Sequence, residues 1–285
     1  MRIIIAIGAG LLLAGVALAL ISGDTTVDQG DKETIVAGFY PLAYAAQKVG
    51  GSAVEVTNLT PPGAEPHDLE PTPQDVERLQ SANLVLLLGQ GFQPSLESAA
   101  DNAAGQVIEL LDTPGLDVRP GDPHVWLDPV RFELVVEAIG RSMDHEGEAN
   151  RLVARLRKLD REYRAGLADC ARRDIVTSHE AFGHLAERYG LRQVAISGIA
   201  PEAEPTPGAL RRVVDSVRET GATTVFTEPL VSPKLAQTVA SETGAATAVL
   251  DPIEGLTPEE QSEGDNYFTL MRRNLATLER GLGCR

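Results

Sequence analysis

The chain reads as an α/β protein, with two parallel-sheet α/β domains joined by one long rigid helix and a cleft between them. Three observations predict this architecture. Short apolar runs alternate with amphipathic helical stretches, the alternation pauses once near the middle, and it then resumes to the C-terminus. Strand alternating with helix implies a parallel sheet covered on both faces.

The first series has strands at 34–37, 54–59, 84–88 and 107–111, with helices at 41–49 and 72–80 between them. The pause is the stretch 146–172. It carries Leu152, Val153, Leu156, Leu159, Tyr163 and Leu167 at helical spacing among many charges and contains no proline. This predicts a single amphipathic helix acting as a strut. The second series has strands at 175–177, 193–196, 224–227 and 246–250, and helices at 206–220, 233–243 and 266–281. The resulting boundaries are an N-terminal α/β domain at 33–145, a linking helix at 146–173 and a C-terminal α/β domain at 174–285.

Met1-Arg2 precedes an unbroken apolar run from Ile3 to Ile21, so residues 1–22 are an export signal or an N-terminal anchor. Ala17-Leu18-Ala19 offers a cleavage site, and the run is nearly long enough to span a bilayer if it is not cut. Residues 23–32 read as a flexible tether. Both readings put the folded part outside the cytoplasm, in the periplasm or at the cell surface. Leu13-Ala14-Gly15-Val16 has the form of a lipoprotein processing site with valine in place of the lipidated cysteine, so no lipid anchor is expected.

The formal charge of −16 is spread without a basic block, which argues against nucleic acid and anionic membranes as partners. Cys170 and Cys284 are the only cysteines, and in an exported protein an even pair usually forms a disulfide; two unpaired thiols are the alternative.

Only five histidines occur in the chain, and three of them sit in unusual contexts: Glu65-Pro66-His67-Asp68, Asp122-Pro123-His124-Val125-Trp126 and Ser178-His179-Glu180. Leu250-Asp251-Pro252 adds a carboxylate. All four positions follow predicted strands, where open parallel sheets bind ligands. Imidazole is the commonest metal ligand, and three imidazoles plus a carboxylate suit a divalent transition metal. His67, His124, His179 and Asp251 are therefore the expected metal ligands. Their wide spacing needs a folded scaffold first, unlike the paired ligands of a zinc finger.

His179 and His184 are five apart, about 140° round a helix, whereas the metalloprotease pair needs a spacing of four. Glu180 reads as a helix N-terminal carboxylate. Glu228, just past a predicted strand, is expected behind one of the ligand imidazoles, with a cap or hinge role as the alternative. Trp126 is expected to pack beneath the His124 loop. No role is assigned to His145 or His184.

Together these segments resemble the solute-binding proteins that serve zinc and manganese ABC importers, in the zinc-like subgroup. The matching stretches are Pro66-His67-Asp68-Leu69-Glu70-Pro71, Asp122-Pro123-His124-Val125-Trp126-Leu127-Asp128-Pro129, Ser178-His179-Glu180-Ala181-Phe182-Gly183, Ile196-Ser197-Gly198-Ile199 with Pro201-Glu202-Ala203-Glu204-Pro205, Glu228-Pro229-Leu230-Val231-Ser232-Pro233 and Leu250-Asp251-Pro252. The resemblance implies metal ligation by His67, His124, His179 and Asp251. Histidine at the third position favours Zn²⁺ over Mn²⁺, with Mn²⁺ the alternative. The chain departs from the family in having no His-rich loop at 114–123 and in placing His184 where an aromatic residue is usual.

The implied function is an extracytoplasmic receptor, monomeric and not an enzyme, that captures Zn²⁺ and delivers it to an ABC permease. The chain has no G-x-x-x-x-G-K-[ST] loop, so the ATPase would be a separate chain. A zinc-dependent hydrolase and a surface adhesin with incidental metal binding are the alternatives. A hydrolase needs an open coordination position, and an adhesin needs an exposed apolar patch.

Overall fold

Each half of the chain builds one four-stranded parallel sheet, and the two sheets repeat the same strand order. The computed structural model describes residues 32–201 and 205–285. In the first half β1 (Glu33–Ala37), β2 (Val54–Asn58), β3 (Leu84–Leu87) and β4 (Gln106–Glu109) lie in the order β2-β1-β3-β4. In the second, β5 (Asp174–Thr177), β6 (Arg192–Ala195), β7 (Thr224–Thr227) and β8 (Ala246–Val249) lie in the order β6-β5-β7-β8. Every pairing is parallel. The chain reverses its direction of strand addition between β1 and β3 and again between β5 and β7, and ligands in open α/β sheets bind beyond the carboxyl ends at such points.

The inner strands are apolar because both of their faces are covered. All four residues of β3 are buried, as are Ile175 and Val176 of β5 and Val225 and Phe226 of β7. The edge strands β4 and β8 are more open, exposing Val107 and Val249. The strand expected over 107–111 gives way after Glu109 to a 3₁₀ turn at Leu110–Asp112.

Around the sheets lie α1 (Tyr40–Gly50), α2 (Pro73–Ser81), α3 (Pro94–Ala100), α4 (Pro129–Ser142), α5 (Glu146–Gly166), α6 (Gly183–Tyr189), α7 (Pro207–Thr220), α8 (Lys234–Thr243), α9 (Pro258–Glu263) and α10 (Tyr267–Leu282). Side chains of Thr72, Asp128, Thr206, Thr257 and Asn266 cap α2, α4, α7, α9 and α10 by accepting first-turn amide hydrogens. Four helices exceed the sequence expectation. α3, α6 and α9 are too short for an apolar period to stand out. α4 is legible in retrospect, with Phe132, Val135, Val136 and Ile139 buried on one face behind the Asp128 cap.

The strut is α5, about 30 Å long at the α-helical rise. It buries Ala149, Leu152, Val153, Leu156, Leu159 and Tyr163, and packs on α1, α4 and α10, so the main hydrophobic core runs through it from one half into the other. Tyr163 donates its hydroxyl hydrogen to the Met271 carbonyl at 2.6 Å, tying α5 to α10. The helix stops at Gly166, short of the expected 172. Arg173 turns back to donate to the carbonyls of Leu167 and Ala168, each at 2.7 Å, and Cys170 enters an antiparallel bridge with Cys284. A disulfide joins the same two cysteines.

The leader at 1–22, most of the tether at 23–32 and the motif residues 202–204 lie outside the described residues. Among the described residues no helix is long and apolar enough to cross a membrane.

Candidate metal centre

Loops at the carboxyl ends of both sheets bring His67, His124, His179 and Glu254 together, with one donor atom from each within 4.8 Å of the others. His179 lies just past β5. Its carbonyl accepts hydrogen bonds from Thr177 Oγ1 at 2.7 Å and Gln193 Nε2 at 2.9 Å, which fixes the short turn that carries it. Glu254 follows β8 in a turn where Ile253 has φ +57°. That is an uncommon conformation for a β-branched residue, and the Asp251 Oδ1 atom stabilises it by accepting the Ile253 amide at 2.7 Å. Asn274 of α10 clamps the same turn, accepting from the Asp251 amide at 2.9 Å and donating to its carbonyl at 2.6 Å.

The other two imidazoles ride on longer loops. His67 packs edge-on against Phe92, with ring centroids 4.5 Å apart, and its amide donates to Glu65 Oε2 at 3.0 Å. Gln93 anchors this loop from beneath, its Nε2 lying 3.2 Å from the carbonyls of Gly38 and Pro66 and from Thr60 Oγ1. A Cβ on Gly38 would meet Gln93 Oε1 at 2.3 Å, so this close approach needs glycine. His124 opens the 3₁₀ turn Val125–Leu127 and lies 5.1 Å, centroid to centroid, from Trp126. Trp126 is buried and donates its Nε1 hydrogen to the Pro252 carbonyl at 2.7 Å, linking the His124 loop to the turn carrying Glu254.

Glu254 Oε1 is the common centre, 3.1 Å from His124 Nε2, 3.3 Å from His179 Nε2 and 3.4 Å from His67 Nε2. Behind two of the rings stand further carboxylates. Asp122 Oδ1 accepts from His124 Nδ1 at 2.9 Å, and Glu228 Oε2 accepts from His179 Nδ1 at 2.6 Å. Because an ionised carboxylate only accepts, each Nδ1 carries a hydrogen and each Nε2 faces the centre.

Burial opposes charge throughout the site, and for His124, His179 and Glu254 the pairings overcome it. For His179 the bonds to Glu228 and Glu254 outweigh desolvation and push its pKa up to about 10. His124 is also raised against burial, by Asp122 and Glu254. Glu254 is held well below the usual carboxylate range, its desolvation outweighed by hydrogen bonds from the histidines. Glu65, half-buried and repelled by Glu254, rises to about 8. A metal ion entering here must displace protons from nitrogen.

The sequence expectation placed Asp251 with the three histidines. In the structure Glu254 stands there instead. Asp251 Oδ1 is engaged by the Ile253 amide, Oδ2 is buried without a partner, and burial raises the group to about 8. Glu254 carries no proline-flanked motif of its own; its only sequence signal is being a second acid in the loop after β8. Glu180 is exposed and lies three residues before the start of α6, so it is not a helix N-terminal carboxylate. His145 lies at the start of α5, half-buried and 3.9 Å from Glu148. His184 is fully buried, with Nε2 2.9 Å from the Asp122 carbonyl.

Residues 35–281 match the family model described as ZnuA, the periplasmic zinc-uptake complex component A. The chain belongs to this family. Within the ZnuA family it is 31% identical to the high-affinity zinc uptake system protein ZnuA of Bacillus subtilis over 283 residues, covering 89% of each chain. It is 33% identical to the zinc-binding lipoprotein AdcA of Streptococcus pneumoniae over 299 residues, covering 94% of this chain and 60% of that longer protein. Among solved structures, the Zn(II)-bound ZnuA-like domain of Streptococcus pneumoniae AdcA aligns with a TM-score of 0.75 at 34% identity, covering 88% of this chain and 99% of that one. The laminin-binding protein of Streptococcus agalactiae, described as having adhesin and metal-transporting activity, aligns with a TM-score of 0.81 at 30% identity over the same shares. Like these ZnuA-type proteins, the chain has two parallel-sheet α/β halves. The family consists of metal-binding transport receptors that work with ABC importers.

Proposed function

We propose that this chain is an extracytoplasmic receptor that captures Zn²⁺ between His67, His124, His179 and Glu254 and delivers it to an ABC permease driven by a separate ATPase. The observation that carries the reading is the convergence of three imidazole nitrogens and one carboxylate oxygen within 4.8 Å. Three nitrogens and one oxygen suit tetrahedral zinc, and the histidine at position 179 disfavours the more oxygen-rich shell that manganese prefers. His67 Nε2 has no hydrogen-bond partner, as expected of a nitrogen that awaits a metal. In this reading Asp251 shapes the turn that presents Glu254, and Glu228 orients His179. Residues 33–145 and 174–285 act as two domains about the link at 146–173. The receptor works as a monomer, held or exported by its leader.

A hydrolase is disfavoured because four protein donors close a tetrahedral shell and leave no position for water. Adhesion finds less support in the described surface, where the exposed large hydrophobic residues are Val107 on β4 and Val249 on β8. The test is elemental mass spectrometry of the purified protein after exposure to equal Zn²⁺ and Mn²⁺, with His179→Glu alongside. One zinc per chain is expected, with weaker discrimination in the variant. Preferential manganese would reassign the cargo, and no bound metal would overturn the reading.

A further inference from the structure

His184 is fully buried on α6 of the C-terminal half, takes no part in the four-donor cluster, and crosses between the halves. Its Nε2 lies 2.9 Å from the backbone carbonyl of Asp122 in the N-terminal half. A carbonyl only accepts, so Nε2 is the protonated nitrogen, and Nδ1 is left buried without a partner. That is a costly arrangement for a residue whose only task is to fill space, since an apolar ring would avoid the orphaned nitrogen.

The segment it grips is the one that aims His124. Asp122 Oδ1 accepts both the His124 amide, at 3.1 Å, and the His124 ring Nδ1, at 2.9 Å. The neighbouring residue of α6 contributes as well. A Cβ on Gly183 would lie 2.3 Å from Asp122 Oδ2, so the absence of a side chain lets α6 approach this loop closely. Arg119 Nε stands 3.5 Å from the same Oδ2.

We propose that His184 is a positioning residue, a clasp from the C-terminal half that holds the Asp122 backbone and through it sets His124 for the metal, so that donor placement in one half depends on contact with the other. The inference rests on the proposed metal site. Burial also lowers the pKa of His184, which keeps its ring neutral near pH 7 and consistent with a single Nε2 hydrogen.

The test compares zinc affinity, by chelator competition, and zinc release, by stopped flow into excess chelator, in wild type, His184→Phe and His184→Gln. Phenylalanine keeps the ring volume without the donor, and glutamine restores a donor at the reach of Nε2. His184→Phe is expected to weaken binding by about tenfold, chiefly through faster release, which is the low end for loss of an outer partner. His184→Gln should recover most of that loss. Added to Asp122→Ala, His184→Phe should cost little more. A lowered melting temperature with unchanged affinity and release would overturn the clasp, since a purely structural role predicts that result. Should His184→Phe fail to fold, nitrogen-15 shifts of the wild-type His184 ring decide: Nε2–H supports the proposal, and Nδ1–H overturns it. A wild type that binds no zinc would defeat the reading of the site itself, whereas zinc binding unaffected by His184→Phe would defeat only the clasp.

Discussion

The two halves share one sheet topology yet hold their metal donors in opposite ways. In the C-terminal half His179 and Glu254 leave almost directly from the ends of β5 and β8, and short turns braced by Thr177, Gln193, Asp251 and Asn274 fix them. In the N-terminal half His67 and His124 lie far along loops after β2 and β4. Their precision comes from distant side chains: Gln93 under one loop, Trp126 and His184 across to or from the other half. Short turns place a donor through backbone geometry, at the cost of strain such as that at Ile253. Long loops avoid strain but need ties that can be cut from far away.

The contrast between neighbouring carboxylates in the strained turn gives the largest expected effect. Glu254→Ala should reduce zinc affinity by more than the roughly 10–100-fold that loss of an outer partner costs. Asp251→Ala should fall within that range, because it removes the brace and not the donor. Isothermal titration or chelator competition on the two variants ranks them. A larger loss for Asp251→Ala would reverse the assignment and make the strained turn a carrier of Asp251.

The Cys170–Cys284 disulfide sharpens the comparison differently, since it closes a sequence separation of 114 residues at the end of the C-terminal half opposite His179. Its removal by paired Ser substitution should destabilise by up to about 4.7 kcal/mol in the chain-entropy model, or on the order of 10 °C in melting temperature. Zinc affinity should stay within about threefold of wild type, because the short turn at His179 is set by local bonds. A tenfold loss of affinity would mean that the donors of this half also rely on remote ties.

That division explains what the sequence discloses. All eight described strands are legible, the inner ones as largely apolar runs and the edge ones by their place in the alternation with helices, and α5 announces itself through its period. The three histidines stand out through rarity and context. The fourth donor does not, because choosing between Asp251 and Glu254 requires the positive φ of Ile253 and the clamp from Asn274, a residue on a different helix. His184 is opaque for the same reason: its partner is a backbone carbonyl in the other half, and no side-chain pattern marks a carbonyl.

The smallest effect probes the brace itself. Burial raises Asp251 to about 8, far above its value in an unfolded chain, so between about pH 4 and pH 8 the folded protein holds a proton that the unfolded one has released. Stability from this group is therefore full at low pH and declines as pH rises through 8, where the buried side chain must ionise with Oδ2 unpaired. Asp251→Asn retains an oxygen for the Ile253 amide and cannot ionise. The metal-free variant should melt above wild type at pH 8.5, by at least the roughly 2–4 °C that about 1 kcal/mol produces in a chain of this size. The gap should close on acidification toward pH 4. A gap constant with pH would show that Asp251 ionises normally, and the turn carrying Glu254 would then be held by Asn274 and backbone geometry without help from a buried, protonated acid.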